Sequence, residues 1–371
     1  MRRLAILSTH PIQYNAPLFR MLNEDQGVEL QVFFSKTWNQ VKFDPDFQRE
    51  VVWDIPVSEG YPHATYDASS KAGKTSLVAA IRDFNPDTLL VYGWNFPGHL
   101  AMMRHFHGSI PIWFRGDSHL LDPLPLWKKA LRRLWLTWCY RHIDFAFTVG
   151  SANEAYFEWC GLKPHQMARA PHAVDNDFFE KDDNSRREEA RRWRSELGIE
   201  PTDHAVLFAG KLEPKKQPGF LLQAWQDLGD SKSHILIVGS GPEEQDLQRK
   251  WADVPGVHFL GFQNQQKMPT VYRMVDVFCL PSTGPGETWG LAINEALASG
   301  TPCIVSDRAG CAQDMGQLSQ HVHVASPKDR HQWTQILSGI FNGAPRASIE
   351  IPRPFSHDAM MAQIHRQFNH E

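Results

Sequence analysis

Residues 276–307 read DVFCLPSTGPGETWGLAINEALASGTPCIVSD, and this stretch decides the fold class. An apolar run at 276–280 gives way to a loop rich in Gly and Pro. A periodic segment then starts near Gly290 and stops at Gly300, with Pro302 just beyond and a second apolar run at 303–306. The order is strand, loop, helix, strand, the repeating unit of a parallel sheet whose strands are buried on both faces. Free N–H groups at such a helix start, at the positive end of its dipole, suit a phosphate.

Outward from this stretch the same theme recurs in both directions. Short apolar runs predict strands at 4–9, 28–34, 88–92, 110–114 and 144–149 in the first half, and at 205–209, 235–238, 257–260, 276–280 and 303–306 in the second. Between the halves, residues 180–203 are dense in charge, and SRREEARRWRSELG predicts a solvated helix ending at Gly198. A chain of 371 residues exceeds the size of one ordinary core, so two α/β domains are expected, 1–179 and 180–354. Residues 355–371, after the proline-rich IPRP, have the spacing of a short amphipathic helix through Met360, Ile364 and Phe368. Open parallel sheets bind ligands at the carboxyl ends of their strands, so the chemistry belongs in the strand-to-helix loops.

With Lys+Arg 38 against Asp+Glu 42, no global basic field draws the chain to nucleic acid. The five cysteines are odd in number and form no CxxC pair, which fits reduced thiols and a cytoplasmic protein. The N-terminal MRRLAILSTHP has too short an apolar run for a signal peptide and reads as a first buried strand. No apolar stretch is long enough to cross a bilayer.

Three loops carry the chemistry. Glu287 sits in the loop before the helix and Glu295 within it, so one carboxylate stands at the loop mouth and the other about a turn along. Two separate hydroxyl-bearing groups, a sugar and a ribose, would fit them; the plain alternative is a dipole-complementing Glu287 and a solvated Glu295. The loop GKLEPKKQPG, 210–219, clusters Lys211, Lys215 and Lys216 just past a strand end, where cations neutralise a diphosphate leaving group. VGSGPEE, 238–244, is a truncated glycine fingerprint in which Gly239 either lets a donor approach the backbone or makes a turn.

The ordered set HPIQYNAPLFR, GSANEAYFEWCGL, APHAVD, GKLEPKKQPG, LIVGSGPEE, VHFLGF, VDVFCLPS and GETWGLAINEALASGTPCIVSD resembles glycosyltransferase family 4, retaining enzymes of the GT-B fold. The resemblance implies two Rossmann-like domains facing across a cleft, with 355–371 crossing back onto the first domain. It implies a nucleotide diphosphate sugar as donor, a saccharide or lipid-linked acceptor, and no metal or other cofactor. By position, Lys211 and Lys216 would contact the diphosphate, Glu287 the transferred sugar and Glu295 the ribose. The backbone around Trp289, Gly290 and Leu291 would hold phosphates and sugar, and Gly261 and Phe262 would lie beside the base.

Two departures from the family stand out. The first loop is His10, Pro11, Ile12, Gln13, Tyr14 rather than glycine-rich, and after the strand at 110–114 the chain reads Arg115, Gly116, Asp117, Ser118, His119. Asp117 or His119 is left to fill the role of a family histidine there. A nucleotide-sugar epimerase and a non-catalytic nucleotide-sugar-binding protein are the rival functions. LPLWKKALRRLWLTWCYR, 124–141, places Trp127, Leu131, Leu134, Trp135 and Trp138 on one side of a helix and Lys128, Lys129, Arg132 and Arg133 on the other. The ordinary reading puts the apolar side in the core and the basic side in water; the alternative has the basic side meeting an anionic membrane surface.

Overall fold

The structure is a computed structural model and describes residues 1–37, 41–44, 49–52, 54–181, 183–284, 286–343 and 355–370; at 41–44, 49–52 and 183 it describes the backbone alone. The proline-rich 351–354 lies outside the described residues. The chain divides into two units, one of them the described residues up to 37, 55–172 and from 355, the other the remainder.

In the first unit the strands are β1 (Arg2–Ser8) and β2 (Val28–Phe34). The chain then runs through β3 (Val41–Asp44) and β4 (Arg49–Val52), which pair as an antiparallel hairpin. It returns with β5 (His63–Thr65), β6 (Thr88–Tyr92), β7 (Ile112–Arg115), β8 (Phe145–Thr148) and β9 (Met167–Arg169). Without the hairpin these form a parallel sheet in the order β5-β2-β1-β6-β7-β8-β9. Its helices are α1 (Ala16–Glu24), α2 (Lys71–Phe84), α3 (His99–Phe106), α4 (Leu126–Tyr140) and α5 (Ser151–Cys160).

Alternation along β1 sorts its side chains between two cores. Leu4 and Ile6 join a cluster with Phe19 and Leu22 of α1, and Ala5 and Leu7 join one with Leu77 and Ile81 of α2. Four consecutive apolar residues are thus buried, which is why the run looks uninterrupted in the sequence.

The second unit continues with α6 (Asn176–Glu180), α7 (Asp183–Glu196), β10 (His204–Ala209), α8 (Pro218–Gln226), β11 (Ser233–Val238), α9 (Glu244–Trp251) and β12 (Val257–Gly261). After these come α10 (Met268–Arg273), β13 (Val277–Leu280), α11 (Leu291–Ala298), β14 (Cys303–Ser306), α12 (Ala312–Leu318), β15 (Val322–Ala325) and α13 (Arg330–Phe341). The sheet is parallel in the order β12-β11-β10-β13-β14-β15. The order reverses between β10 and β13, so the switch point of this sheet lies between the loop at 210–213 and the loop at 281–290.

The division of the chain differs from the expected one in two places. It falls between His172 and Ala173, and the segment 41–54 goes with the second unit, where the Gln266 amide donates to the Asp54 carboxylate (3.2 Å) and its side chain to the Asp54 carbonyl (2.6 Å). The charged helix α7 is not merely solvated. Arg194 donates to the Met274 carbonyl (2.7 Å), and Glu189 accepts from Thr270 Oγ1 (2.8 Å) and pairs with Lys267, so α7 is tied to α10 and the turn after it. The final helix, α14 (His357–His370), buries Met360, Ile364 and Phe368 among residues of β1, β2 and α1.

The ordinary reading of 124–141 holds for the exposed basic residues and for Trp138, which packs against the core, but not for the rest of the apolar side. The residues that α4 buries are Leu136, Cys139 and Tyr140. Leu126, Trp127, Leu131, Leu134 and Trp135 point away from the core and are between 50% and 85% exposed. A narrow stripe at 136, 139 and 140 is enough to seat the helix, which leaves the broader apolar stripe outside.

Candidate functional site

The loop after β13 is clamped on both sides. Thr283 N–H donates to the Lys215 carbonyl (2.9 Å), Gly310 N–H to the Glu287 carbonyl (3.1 Å) and Cys311 N–H to the Trp289 carbonyl (3.1 Å). Within it the Glu287 carboxylate accepts a hydrogen bond from Ser282 Oγ (2.7 Å) and pairs with the Lys216 ammonium. Lys216 closes a short 3-10 turn, Pro214–Lys216, that leads into α8, and Lys215 beside it pairs with Glu213 (3.1 Å). Lys211 follows β10 directly and is half-buried. The switch point of the second sheet therefore sets the Lys216–Glu287 pair next to the start of α11, with Lys211 in the loop directly after β10.

Backbone geometry explains the glycines. Gly290, the N-cap of α11, has φ +104°, and a Cβ there would come 2.8 Å from Leu280 Cδ2. Glycine alone adopts this conformation without strain. The first-turn amides of Leu291 and Ala292 precede any helical carbonyl four residues back, so they are the donors this helix start offers. Gly239 has φ +133°, and a Cβ would meet the Gly210 carbonyl oxygen at 1.9 Å. Close packing of the loops after β10 and β11 accounts for that glycine without a ligand.

Trp289 is buried and donates its indole N–H to Asn294 Oδ1 (2.9 Å), so its ring anchors the loop from inside the unit. Glu295 departs from the expectation of an open carboxylate along the helix. It is only 4% exposed, and its two oxygens accept from Gln265 Nε2 (2.9 Å) and from the Tyr272 hydroxyl (2.8 Å). Phe262 is half-buried just past β12, where Gly239 N–H donates to the Gly261 carbonyl (2.8 Å).

In the first unit a second cluster forms at the carboxyl ends of its strands. Arg115, the last residue of β7, is buried and donates to the carbonyls of Ala170 (2.7 Å) and Pro171 (3.3 Å). His172 Nε2 lies 3.9 Å from an Asp117 oxygen. Burial and the Arg115 charge bring the His172 pKa down to about 3, against the pull of Asp117, so the ring is neutral. His119 is buried, and its Nδ1 accepts the Leu121 N–H (3.2 Å). Asp117 joins the group formed by Arg115 and His172.

His99 pins two more strand-end loops. Its Nδ1 meets the Gly93 carbonyl (2.8 Å), which only accepts, so Nδ1 carries the proton and Nε2 takes the hydrogen bond of the Ser35 hydroxyl (2.8 Å). Burial holds this ring's pKa down at about 4. Ser282, Gln265, Tyr272, Arg115, His172 and His99 had no role in the sequence expectations. Only Ser282, directly after a strand, and His172, within APHAVD, stand where motif position gives a signal.

Comparison with known proteins bears on this arrangement. Residues 203–342 match the profile of the family described as Glycosyl transferases group 1. The chain is 32% identical over 197 residues to the D-inositol 3-phosphate glycosyltransferase of Corynebacterium glutamicum (strain R), covering 48% of this chain and 46% of that protein. It is 37% identical over 105 residues to the phosphatidyl-myo-inositol mannosyltransferase of Mycobacterium leprae (strain TN), covering 28% of each. The matched stretches thus span less than half the length of these two relatives. Among solved structures, Anabaena Alr3699/HepE in complex with UDP and glucose aligns over 100% of both chains with a TM-score of 0.71 and 16% identity. The sucrose-phosphate synthase of Thermosynechococcus elongatus aligns over 99% of both, with a TM-score of 0.70 and 16% identity. Residues 203–342, within the second α/β unit, are thus similar to the Glycosyl transferases group 1 family, and the two parallel-sheet units have the GT-B fold.

Proposed function

We propose that this protein is a retaining glycosyltransferase that moves a sugar from a nucleotide diphosphate donor to a saccharide or lipid-linked acceptor in glycan biosynthesis. The observation that carries the reading is the Lys216–Glu287–Ser282 group beside the start of α11. It puts a cation and a carboxylate within reach of one ligand, next to backbone amides at the positive end of a helix.

In the proposed reaction the diphosphate takes the Lys216 ammonium, with Lys211 and the α11 amides sharing its charge, and Glu287 turns to the hydroxyls of the transferred sugar. The bond from the anomeric carbon to the phosphate oxygen breaks, and a bond from that carbon to the acceptor oxygen forms on the same face. The acceptor's proton leaves with the departing phosphate. The protein supplies positioning and charge stabilisation, and no metal is needed for either. Glu295, through Tyr272 and Gln265, shapes the nucleotide end, with Phe262 beside the base. Asp117 and His119 are the acceptor-side residues to test, with His172 and Arg115 setting the charge around Asp117.

The test incubates the full chain with nucleotide diphosphate sugars and acceptors, beginning with inositol compounds because two relatives are named for them. Proton NMR reads nucleotide diphosphate release and the anomeric configuration of the product. Retention with acceptor-dependent release supports the proposal. An inverted anomer removes the retaining assignment, sugar isomerisation without acceptor favours an epimerase, and tight binding with intact donor favours a binding protein.

A further inference from the structure

The face of α4 turned away from the first unit's core has no use in the transfer reaction. Of the ten large hydrophobic residues exposed among the described residues, six lie between Leu124 and Trp135. Apolar side chains concentrated in this way mark an interaction surface rather than ordinary scatter. On a helical wheel Trp127, Leu131, Leu134 and Trp135 form the outermost stripe. Lys128 flanks it on one side and Lys129 and Arg133 on the other, while the Arg132 guanidinium turns to the Tyr156 hydroxyl (3.4 Å).

The aromatic residues are organised as well. Trp135 and Trp138 stack with ring centroids 5.0 Å apart, and Trp94 meets Trp135 edge-on at 6.4 Å. The Lys128 ammonium lies 5.3 Å from the Trp127 ring, and the Arg141 guanidinium 5.6 Å from that of Trp138. A groove of about 770 Å³ runs beside this face, with Leu126, Leu134 and Trp138 along one row and Lys129, Arg133 and Arg141 along the next.

We propose that α4 docks the protein on an anionic lipid bilayer, with the apolar stripe in the interface and the flanking cations on the headgroups. Three properties commit the surface to this occupant. An outward apolar stripe flanked on both sides by long basic side chains is the pattern of a helix lying in a membrane interface, where the cations reach sideways to the headgroups. Tryptophan is the side chain suited to that depth. The charge is one-sided, since α4 holds four cations and no Asp or Glu. A second copy of the same face would set four cations against four, whereas an anionic surface complements them. The orientation is the reverse of the one the sequence gives for lipid contact: the apolar side leads and the basic residues follow.

The full chain is mixed with vesicles of phosphatidylcholine alone or with about a third phosphatidylglycerol, and bound protein is read by cosedimentation and by tryptophan fluorescence. We expect binding to the anionic vesicles, a blue shift, and loss with added salt. Leu131→Gln with Leu134→Gln, both at exposed positions, lowers partitioning more than tenfold and removes the blue shift. Lys128→Gln with Arg133→Gln lowers it about fivefold per charge. Nucleotide-dependent thermal stabilisation stays unchanged in all of these variants, which separates this proposal from the donor-site reading. Failure to cosediment with anionic vesicles at low salt overturns the proposal. So does equal binding to both vesicle types, or unchanged binding of the Leu131→Gln, Leu134→Gln variant. A dimer that this variant dissociates, in a protein that ignores vesicles, assigns the face to a second copy instead.

Discussion

Replacing His99 with Gln tests the charge state of the ring that ties the loops after β2 and β6. Free in an unfolded chain the imidazole titrates near 6.5, and in the fold burial holds it at about 4. Between these values the unfolded state binds the extra proton and the native state does not, so native stability falls as pH falls. For a single group with these two pKa values, the loss between about pH 7 and pH 5 is about 2 kcal/mol, on the order of a thirtyfold change in the folding constant. Glutamine keeps a donor for Gly93 and does not titrate. At pH 7 the variant lacks a packed, doubly hydrogen-bonded ring and is less stable by about 2 kcal/mol. That gap should close toward zero near pH 5. Urea titrations of both proteins at the two pH values measure the gap, and the ring resonances of His99 report its pKa directly. A gap that keeps its size, or a ring that titrates near its free value, refutes the reasoning.

The site makes further predictions. Glu287→Gln lowers turnover by about a hundredfold or more while nucleoside diphosphate affinity changes only a few-fold, by steady-state kinetics and calorimetry, because the sugar and not the nucleotide loses a contact. Glu295→Ala leaves the Tyr272 hydroxyl and the Gln265 amide without their buried acceptor. It costs about 1–3 kcal/mol of stability per orphaned donor and weakens nucleotide binding, as read by denaturation and calorimetry. Gly239→Ala forces a Cβ onto the Gly210 carbonyl at positive φ and costs at least about 3 kcal/mol, seen as a lower Tm or insoluble expression. Treatment with a chelator leaves turnover unchanged if lysines and a helix start neutralise the diphosphate; strict dependence on added magnesium contradicts that.

How much of this was legible in the sequence depends on where each element keeps its signal. Central strands such as β1, β6, β10 and β14 are buried on both faces and stand out as unbroken apolar runs. Three of the four edge strands of the parallel sheets, β5, β9 and β15, are three or four residues long and partly exposed, and HAT, MAR and VHVA carry no pattern that separates them from loops. The helix start at Gly290 was readable because its punctuation by Gly and Pro is local. The partners of Glu295 were not, since Gln265 and Tyr272 come from another element and meet it only through tertiary packing. The direction of α4 was misread for a related reason. A helical wheel gives two faces, and which face meets the sheet depends on neighbours that the segment does not contain. Arg115 falls one residue past the strand read at 110–114, yet it is the buried end of β7, held by the carbonyls of residues 170 and 171.

The central claim is that the loops after β10 and β13 bind the diphosphate of a nucleotide donor. The most direct measurement is the thermal stability of the full chain with nucleoside diphosphates, in chelator, for the native sequence and for Lys216→Gln. A diphosphate held at a hundred times its Kd adds about 2.7 kcal/mol and raises Tm by on the order of 5 °C. One nucleoside diphosphate is expected to do so, its parent nucleoside is not, and Lys216→Gln loses most of the shift. A site elsewhere in the molecule would follow from equal shifts in both proteins, and the donor reading would fail outright if no nucleoside diphosphate stabilised the native sequence.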